Sequence, residues 1–331
     1  MTYRCLRTAG RDARVHAVGL GLVALLATGC GGDAPAPDAT MADAPAPAMT
    51  DVVAEGATPQ LVQEGFTFTE GPVAGPDGAL YFSDVRESRI HRVLPDGTVE
   101  VYRENTDGAN GLAFDRQGRL VAAQGAGGRI GAFVENGGIT PLAERTGDDG
   151  YAPNDLILDS SGGLYFTDPG PRPTPEMPAT RPPRVFYLTP GGETMLVTDQ
   201  IGRPNGITLT LDGRTLLIAD SNGPDVMAMD VGPDGTASNL RPWARLQGIA
   251  EGEPSGADGM AIDADGRLYV TTTVGVQVFS PTGDHIQTIA FPRQPSNVAF
   301  GGPDRMTLYV TAREGLYSLQ MRTAGPADRA K

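Results

Sequence analysis

Cysteine is nearly absent from this 331-residue chain, which has only Cys5 and Cys30. Everything after residue 30 therefore lacks a disulfide, a thiolate nucleophile and a zinc-thiolate cluster. Histidine is as scarce, with His16, His91 and His285 the whole supply. His16 falls in an N-terminal leader. The other two fall in the later strands or turns of their repeats and read as surface or packing residues. A His-ligated zinc centre or a Ser/His/Asp triad is therefore a poor reading. Positive charge is short too: 26 Lys plus Arg face 40 Asp plus Glu, a net charge of −14. Four of those arginines (Arg4, Arg7, Arg11, Arg14) lie in the first 29 residues against one acid, Asp12, which leaves 22 basic and 39 acidic residues after them. So acidic a surface repels phosphate backbones, which excludes nucleic acid and an anionic membrane patch as partners.

Long hydrophobic runs are also missing. The run from His16 to Ala27 (HAVGLGLVALLA) is too short to span a bilayer and has the length of a signal-peptide apolar region. It ends in LATGC, and the small residues Thr28 and Gly29 before Cys30 resemble a bacterial lipobox, although Ala27 stands where Leu is usual. Residues 1–29 are read as a lipoprotein-type signal peptide and Cys30 as the lipidated residue. The competing reading, a buried core helix, fails because residues 30–58 show no apolar periodicity and form a Pro/Ala-rich linker. The expected location is the periplasmic side of a bacterial cell envelope, with the membrane reached only through the lipid anchor, or secretion if the lipobox is not used.

Turn formers, by contrast, are abundant: Gly 45 and Pro 28 argue against a helical bundle and for many short strands. A strand recurs at Leu80 (LYFSD), Leu120 (LVAAQ), Leu164 (LYFTD), Leu216 (LLIAD), Leu268 (LYVTT) and Leu308 (LYVTA), at intervals of 40, 44, 52, 52 and 40. Before each except the last stands a turn pair such as Asp77-Gly78 or Asp265-Gly266, preceded by a short apolar strand, and two β-rich runs come after. Four short antiparallel strands per 40–50-residue period predict an all-β, six-bladed β-propeller over residues 59–320, with residues 321–331 as a tail. The last repeat has room for only three strands, and QLVQ at residues 60–63 is an orphan, so the N-terminal strand is expected to complete the sixth blade.

Counting back ten or eleven residues from each of those leucines gives Glu70, Asn110, Asn154, Asn205, Asp258 and Asn297. One at a time, Asn-Gly and Asp-Gly are turn dipeptides. Together they place a side-chain oxygen at the same point of every blade, and the hairpin turns have their own residues further on. Six such oxygens around one channel mouth suit a hard cation, calcium first, with magnesium, manganese or zinc behind it. Asp84, Asp168 and Asp220 each end the second strand of a blade and read as structural. Arg203, two residues before Asn205, reaches either an anionic substrate or a neighbouring acid.

The segments FTEGPV (68–73), YAPNDLILDSSGGLYFTDP (151–169), RPNGITLTLDGRTLLIADS (203–221) and ADGMAIDADGRLYV (257–270) resemble the SMP-30/gluconolactonase family of six-bladed propellers. ANGLAFDRQGRLV (109–121) and NVAFGGPDRMTLYVT (297–311) resemble its bacterial members. The resemblance covers nearly all of residues 60–320. It implies a divalent metal, usually calcium, held by Glu70, Asn154 (directly or near it), Asn205 and Asp258, with Asn110 and Asn297 beside the metal and available to substrate. The chain departs from the pattern at Ala123-Gln124-Gly125, where bacterial gluconolactonases often carry Cys-Glu-His or a similar run. That departure weighs against the usual sugar lactone. A Pro-rich insert at residues 169–183 is expected to overhang one face as a lid or rim.

The expected function is metal-dependent hydrolysis of a lactone or similar ester by a monomer. Asp258 serves as general base or water-orienting group and Asp155 is the second candidate. The alternatives are a non-catalytic envelope binding propeller with a structural metal, and a phosphotriesterase-like hydrolase.

Overall fold

The computed structural model describes residues 51–134, 137–147, 149–171, 174–176 and 178–327. The signal peptide, the Cys30 lipidation site and the linker up to residue 50 lie outside the described residues.

The strands form six four-stranded sheets, and no helix occurs among the described residues. In five sheets the four strands succeed one another in chain order. The innermost strands are Thr69–Ala74, Ala109–Phe114, Leu156–Leu158, Pro204–Leu209, Met260–Ile262 and Asn297–Gly301. Each touches the innermost strand of the next blade, and the sixth touches the first, so the sheets close into a six-bladed β-propeller.

The second strands show why the sequence folds this way. In Leu164–Asp168, Leu164 and Phe166 pack with Val121 and Ile130 of blade two, while Tyr165 packs with Ile207 and Leu216 of blade four. Successive side chains point to opposite faces of a strand. A strand sandwiched between two blades must therefore be apolar on both faces, which gives the unbroken LYF-type runs instead of an alternating pattern.

The strand Gln60–Glu64 pairs antiparallel with Gly315–Gln320 and supplies the outer strand of blade six. The packed region extends beyond the expected 59–320. Val53 bridges Met321, the Ala54 N–H donates to Gln320 O at 3.0 Å, and the Arg322 N–H donates to Val52 O at 3.0 Å. Val52 and Met321 are apolar and join the blade-five and blade-six core, so residues 51–58 are not linker and the tail is tied down through Gly325, whose N–H donates to Arg305 O.

At Gly71 one blade comes up tightly against the next. The φ of this glycine is +50°, and a Cβ there would stand 2.0 Å from Asn110 O. Gly71→Ala combines a left-handed backbone with a clash against main chain. It is expected to cost about 2–4 kcal/mol, read as a lower denaturation midpoint at unchanged slope.

Candidate metal centre

The six polar residues of the repeat stand at, or within two residues of, the start of an innermost strand, at one mouth of the channel. Contacts link them around the ring. Gly71, after Glu70, abuts Asn110 O. The Gly111 N–H, after Asn110, donates to Asn154 O at 2.9 Å. The Thr167 hydroxyl donates to Asn205 O at 2.6 Å and bonds Asp155 O at 3.4 Å. Gly206, after Asn205, abuts Asp258 O, and Gly259, after Asp258, abuts the Asn297 side chain. Asn297 Nδ2 closes the circle by donating to Glu70 Oε2 at 3.1 Å. The glycines after the ring residues are thus explained by close packing of neighbouring blades, since a Cβ at 71, 111, 206 or 259 would meet its neighbour within 2.2 Å.

Two further devices hold the ring. In blades one, two and four the innermost strand carries a register shift beside the ring residue, between Glu70 and Val73, Ala109 and Leu112, and Pro204 and Ile207. Such a bulge re-aims a side chain away from the regular pleat. Hydroxyls near the end of the second strands then reach the next blade. Ser83 Oγ donates to Asn110 O at 2.8 Å, Ser221 Oγ to Ala257 O at 2.7 Å and Thr271 Oγ1 to Ser296 O at 2.9 Å. Ser296 Oγ completes the series by donating to Thr69 O at 2.7 Å. Sequence reasoning missed these latches, although the recurrence of Ser or Thr beside the strand-ending acid was a usable signal.

The strand-ending acids act within their own blades. Asp84 accepts the N–H groups of Thr67 and Phe68, Asp168 that of Ala152, and Asp220 those of Gly202 and Arg203. Each clamps the loop two or three residues before a ring residue. Asp168 also pairs with Arg181 at 2.7 Å and Arg184 at 3.4 Å.

The ring is electrostatically strained. Burial, then the charges of Glu70 and Asp155, push the Asp258 carboxyl well above the usual carboxylate range, with Arg313 and Arg203 opposing. Asn110 Oδ1 and Asn205 Oδ1 are buried without a hydrogen-bond partner. Native structures rarely leave such acceptors unmet. Carboxylates that repel one another beside unmet amide oxygens form a donor set suited to a divalent cation. Among the described residues no three His, Cys, Asp or Glu side chains form a metal cluster by themselves, so amide oxygens are needed to complete a coordination shell.

Repulsion within the ring fixes the sign of its pH dependence. The pKa of Asp258 is higher in the fold than in an unfolded chain, so the contribution of this group to metal-free stability is fullest at low pH and is lost as the pH rises through the raised value. A cation favours the ionised form and offsets that loss. An added divalent cation is therefore expected to raise Tm more at about pH 8 than at about pH 5, by calorimetry; an equal rise at both would contradict a cation site in the ring.

Residues 68–314 match the family described as the SMP-30/gluconolactonase/LRE-like region. The chain belongs to this family. It is 27% identical over 308 residues to a gluconolactonase of Zymomonas mobilis, covering 83% of this chain and 85% of that protein. It is 30% identical over 261 residues to a regucalcin of Xenopus laevis, covering 76% and 85%. A gluconolactonase structure from Xanthomonas campestris superposes with a TM-score of 0.73 at 28% identity, covering 83% of this chain and 93% of that one.

As a member of the SMP-30/gluconolactonase family, the chain brings Glu70, Asn110, Asn154, Asn205, Asp258 and Asn297 together, with Asp155 buried beside them. Asn297 is engaged at both ends of its amide: Nδ2 donates to Glu70, and Oδ1 accepts the Val298 N–H at 2.8 Å. It orients Glu70. Arg203 is half-buried and faces a cavity under the Pro-rich insert. Gln124, in the segment where the family pattern is broken, is fully buried and donates to Thr106 O at 2.8 Å, a structural role. His91 packs against Phe66 and Phe82, and His285 lies in an outer strand, its ring nitrogen 2.9 Å from Thr288 Oγ1.

Proposed function

We propose that this protein is a hydrolase opening a lactone or related ester at a divalent cation held by Glu70, Asn154, Asn205 and Asp258. The observation that carries this reading is the unmet Oδ1 of Asn205 and Asn110 beside the mutually repelling carboxylates of Glu70, Asp155 and Asp258. The gluconolactonase relatives supply the reaction class. Calcium is the ion of choice because every ligand is oxygen. When bound, the cation supplies Lewis acidity toward the lactone carbonyl.

The chain's own groups do the rest. Glu70 is fixed by the Gly71 N–H and Asn297 Nδ2, both at 3.1 Å, so its carboxylate is aimed before substrate arrives. Asn205 is fixed by its Nδ2 donating to Ser221 Oγ at 3.0 Å, which leaves Oδ1 for the channel mouth. Asp258 is the ring's base: it takes a proton from the attacking water and returns it to the leaving alkoxide as the ring opens. Asp155 is the second candidate for that role. Assay of the purified protein on δ- and γ-lactones, with calcium and with chelator, tests the reading; equal background rates in both would defeat it.

The same reading keeps the Cys30 anchor and the envelope location. Residues 51–57 join the propeller beside Gln320 and Met321, at the end of blade six away from Asn297. Cys30→Ser is expected to move the protein from the membrane to the soluble fraction.

A further inference from the structure

Three aromatic rings among the described residues carry two guanidinium groups each. Arg92 and Arg103 stand 5.4 and 5.7 Å from the ring centre of Tyr102, and Arg184 and Arg145 stand 5.1 and 6.0 Å from that of Phe186. Arg86 and Arg313 stand 5.2 and 5.4 Å from that of Phe68. An aromatic face attracts a cation, but two cations brought to one ring repel each other. At the first two rings a carboxylate offsets that repulsion. Glu100 pairs with Arg92 at 2.6 Å, and Asp149 pairs with both Arg184 at 2.6 Å and Arg145 at 3.0 Å.

At Phe68 no carboxylate of a described residue pairs with either arginine. The acids of the same two loops are turned elsewhere: Glu87 accepts the Thr67 hydroxyl at 3.0 Å, and Glu314 pairs with Arg293 at 3.4 Å. Nη2 of Arg313 donates to Gln294, a neutral partner. Arg313 also holds a φ of +57° between the paired residues Ala312 and Gly315, in a two-residue hairpin turn where glycine would be free of strain. A side chain kept at such a position points to a use for it.

The Phe68 cluster belongs to the ring face. Phe68 is two residues before Glu70, and Thr69 between them donates its N–H and its hydroxyl to Arg313 O at 2.7 and 3.0 Å. Arg86 follows closely on Asp84, whose carboxylate accepts the Thr67 and Phe68 N–H groups. Arg86 is exposed and Arg313 half-buried, and the charge of Arg313 is felt at Asp258.

We infer that Arg86 and Arg313 form a carboxylate-binding site beside the ring, taking from the ligand the group that Glu100 and Asp149 supply at the other two aromatic residues. The substrate assignment that follows rests on the lactonase reading: the substrate is a lactone that itself carries a carboxylate. A guanidinium fork matches a carboxylate in shape, and its charge-assisted N–H donors hold the lactone in place at the channel mouth.

The test uses the full chain with calcium and two γ-lactams as probes, pyroglutamate and its uncharged amide, with binding measured by calorimetry. The carboxylate is expected to bind at least about tenfold more tightly than the amide, a margin that shrinks in about 0.5 M salt. Arg313→Gln, and separately Arg86→Gln in its exposed loop, are each expected to cut that margin about threefold or more, and Arg313→Lys to keep part of it. Equal binding of the two lactams would overturn the inference, as would a preference that survives both glutamine variants because the carboxylate ligates calcium instead. Methyl phosphate bound more tightly than pyroglutamate would overturn the choice of carboxylate. The matching lactones, γ-butyrolactone with a γ-carboxylate and its amide, are then compared in kcat/KM, with about tenfold expected in favour of the acid. A carboxylate preference in lactam binding with neither lactone hydrolysed would defeat the lactonase reading alone and leave the carboxylate site standing.

Discussion

Asp258→Asn is expected to lower lactone turnover by about 10³-fold or more while leaving the propeller folded. The substitution keeps the shape of the side chain and an oxygen at the same point, so Gly259 still packs on Asn297 and the blade interface is preserved. Under the proposed function, what is lost is the charge that would ligate the cation and take the proton. The same loss relieves the repulsion among Asp258, Glu70 and Asp155. The chelated variant should therefore melt higher than the chelated wild type, and added calcium should stabilise it less. Initial rates and melting curves in calcium and in chelator read both effects. Undiminished turnover would place catalysis elsewhere.

Deletion of residues 51–64 is expected to remove cooperative folding altogether. These residues supply the outer strand of blade six through the pairs Gln60 with Ser318 and Glu64 with Gly315. They also bring Val52 against Met321 and the ion pair of Glu64 with Arg293 at 2.6 Å. Without them Gly315–Gln320 becomes an open edge, a template for aggregation. The tie between the two ends of the chain is also lost, and blade six then meets blade one only through the packing of Asn297–Gly301 and Thr307–Ala312 on Thr69–Ala74. Size-exclusion chromatography and calorimetry check this; a monomer with the parental Tm would refute the closure.

The propeller was readable because its second strands are apolar on both faces and recur with the blade, and because a turn pair precedes nearly every one. The ring was readable for the same reason: the channel mouth demands a polar residue at one phase of the repeat, from Glu70 to Asn297. Other features left weaker traces. The latches of Ser83, Thr167, Ser221 and Thr271 are bonds between blades, and Ala123 breaks their pattern in blade two, so a linear reading passes over them. The packing of residues 51–58 depends on Val52 finding Met321, which lies some 270 positions away in the chain and shares no local pattern with it. The tie of Asn297 to Glu70 is likewise a matter of side-chain orientation that residue type does not encode. The cavity by Arg203 arises where an insert in blade three meets a loop of blade four, again a contact between repeats.

Under the proposed function the six-residue ring holds one divalent cation, and lactone hydrolysis depends on it. Back-titration of the chelator-stripped protein with calcium, monitored through hydrolysis of a γ-lactone, tests this most directly. Activity should climb from background and level off at one ion bound per chain, with Asn205→Ala shifting the curve to higher calcium. Full activity in the stripped protein, or a rate that does not respond to the first equivalent of any divalent cation, would contradict it.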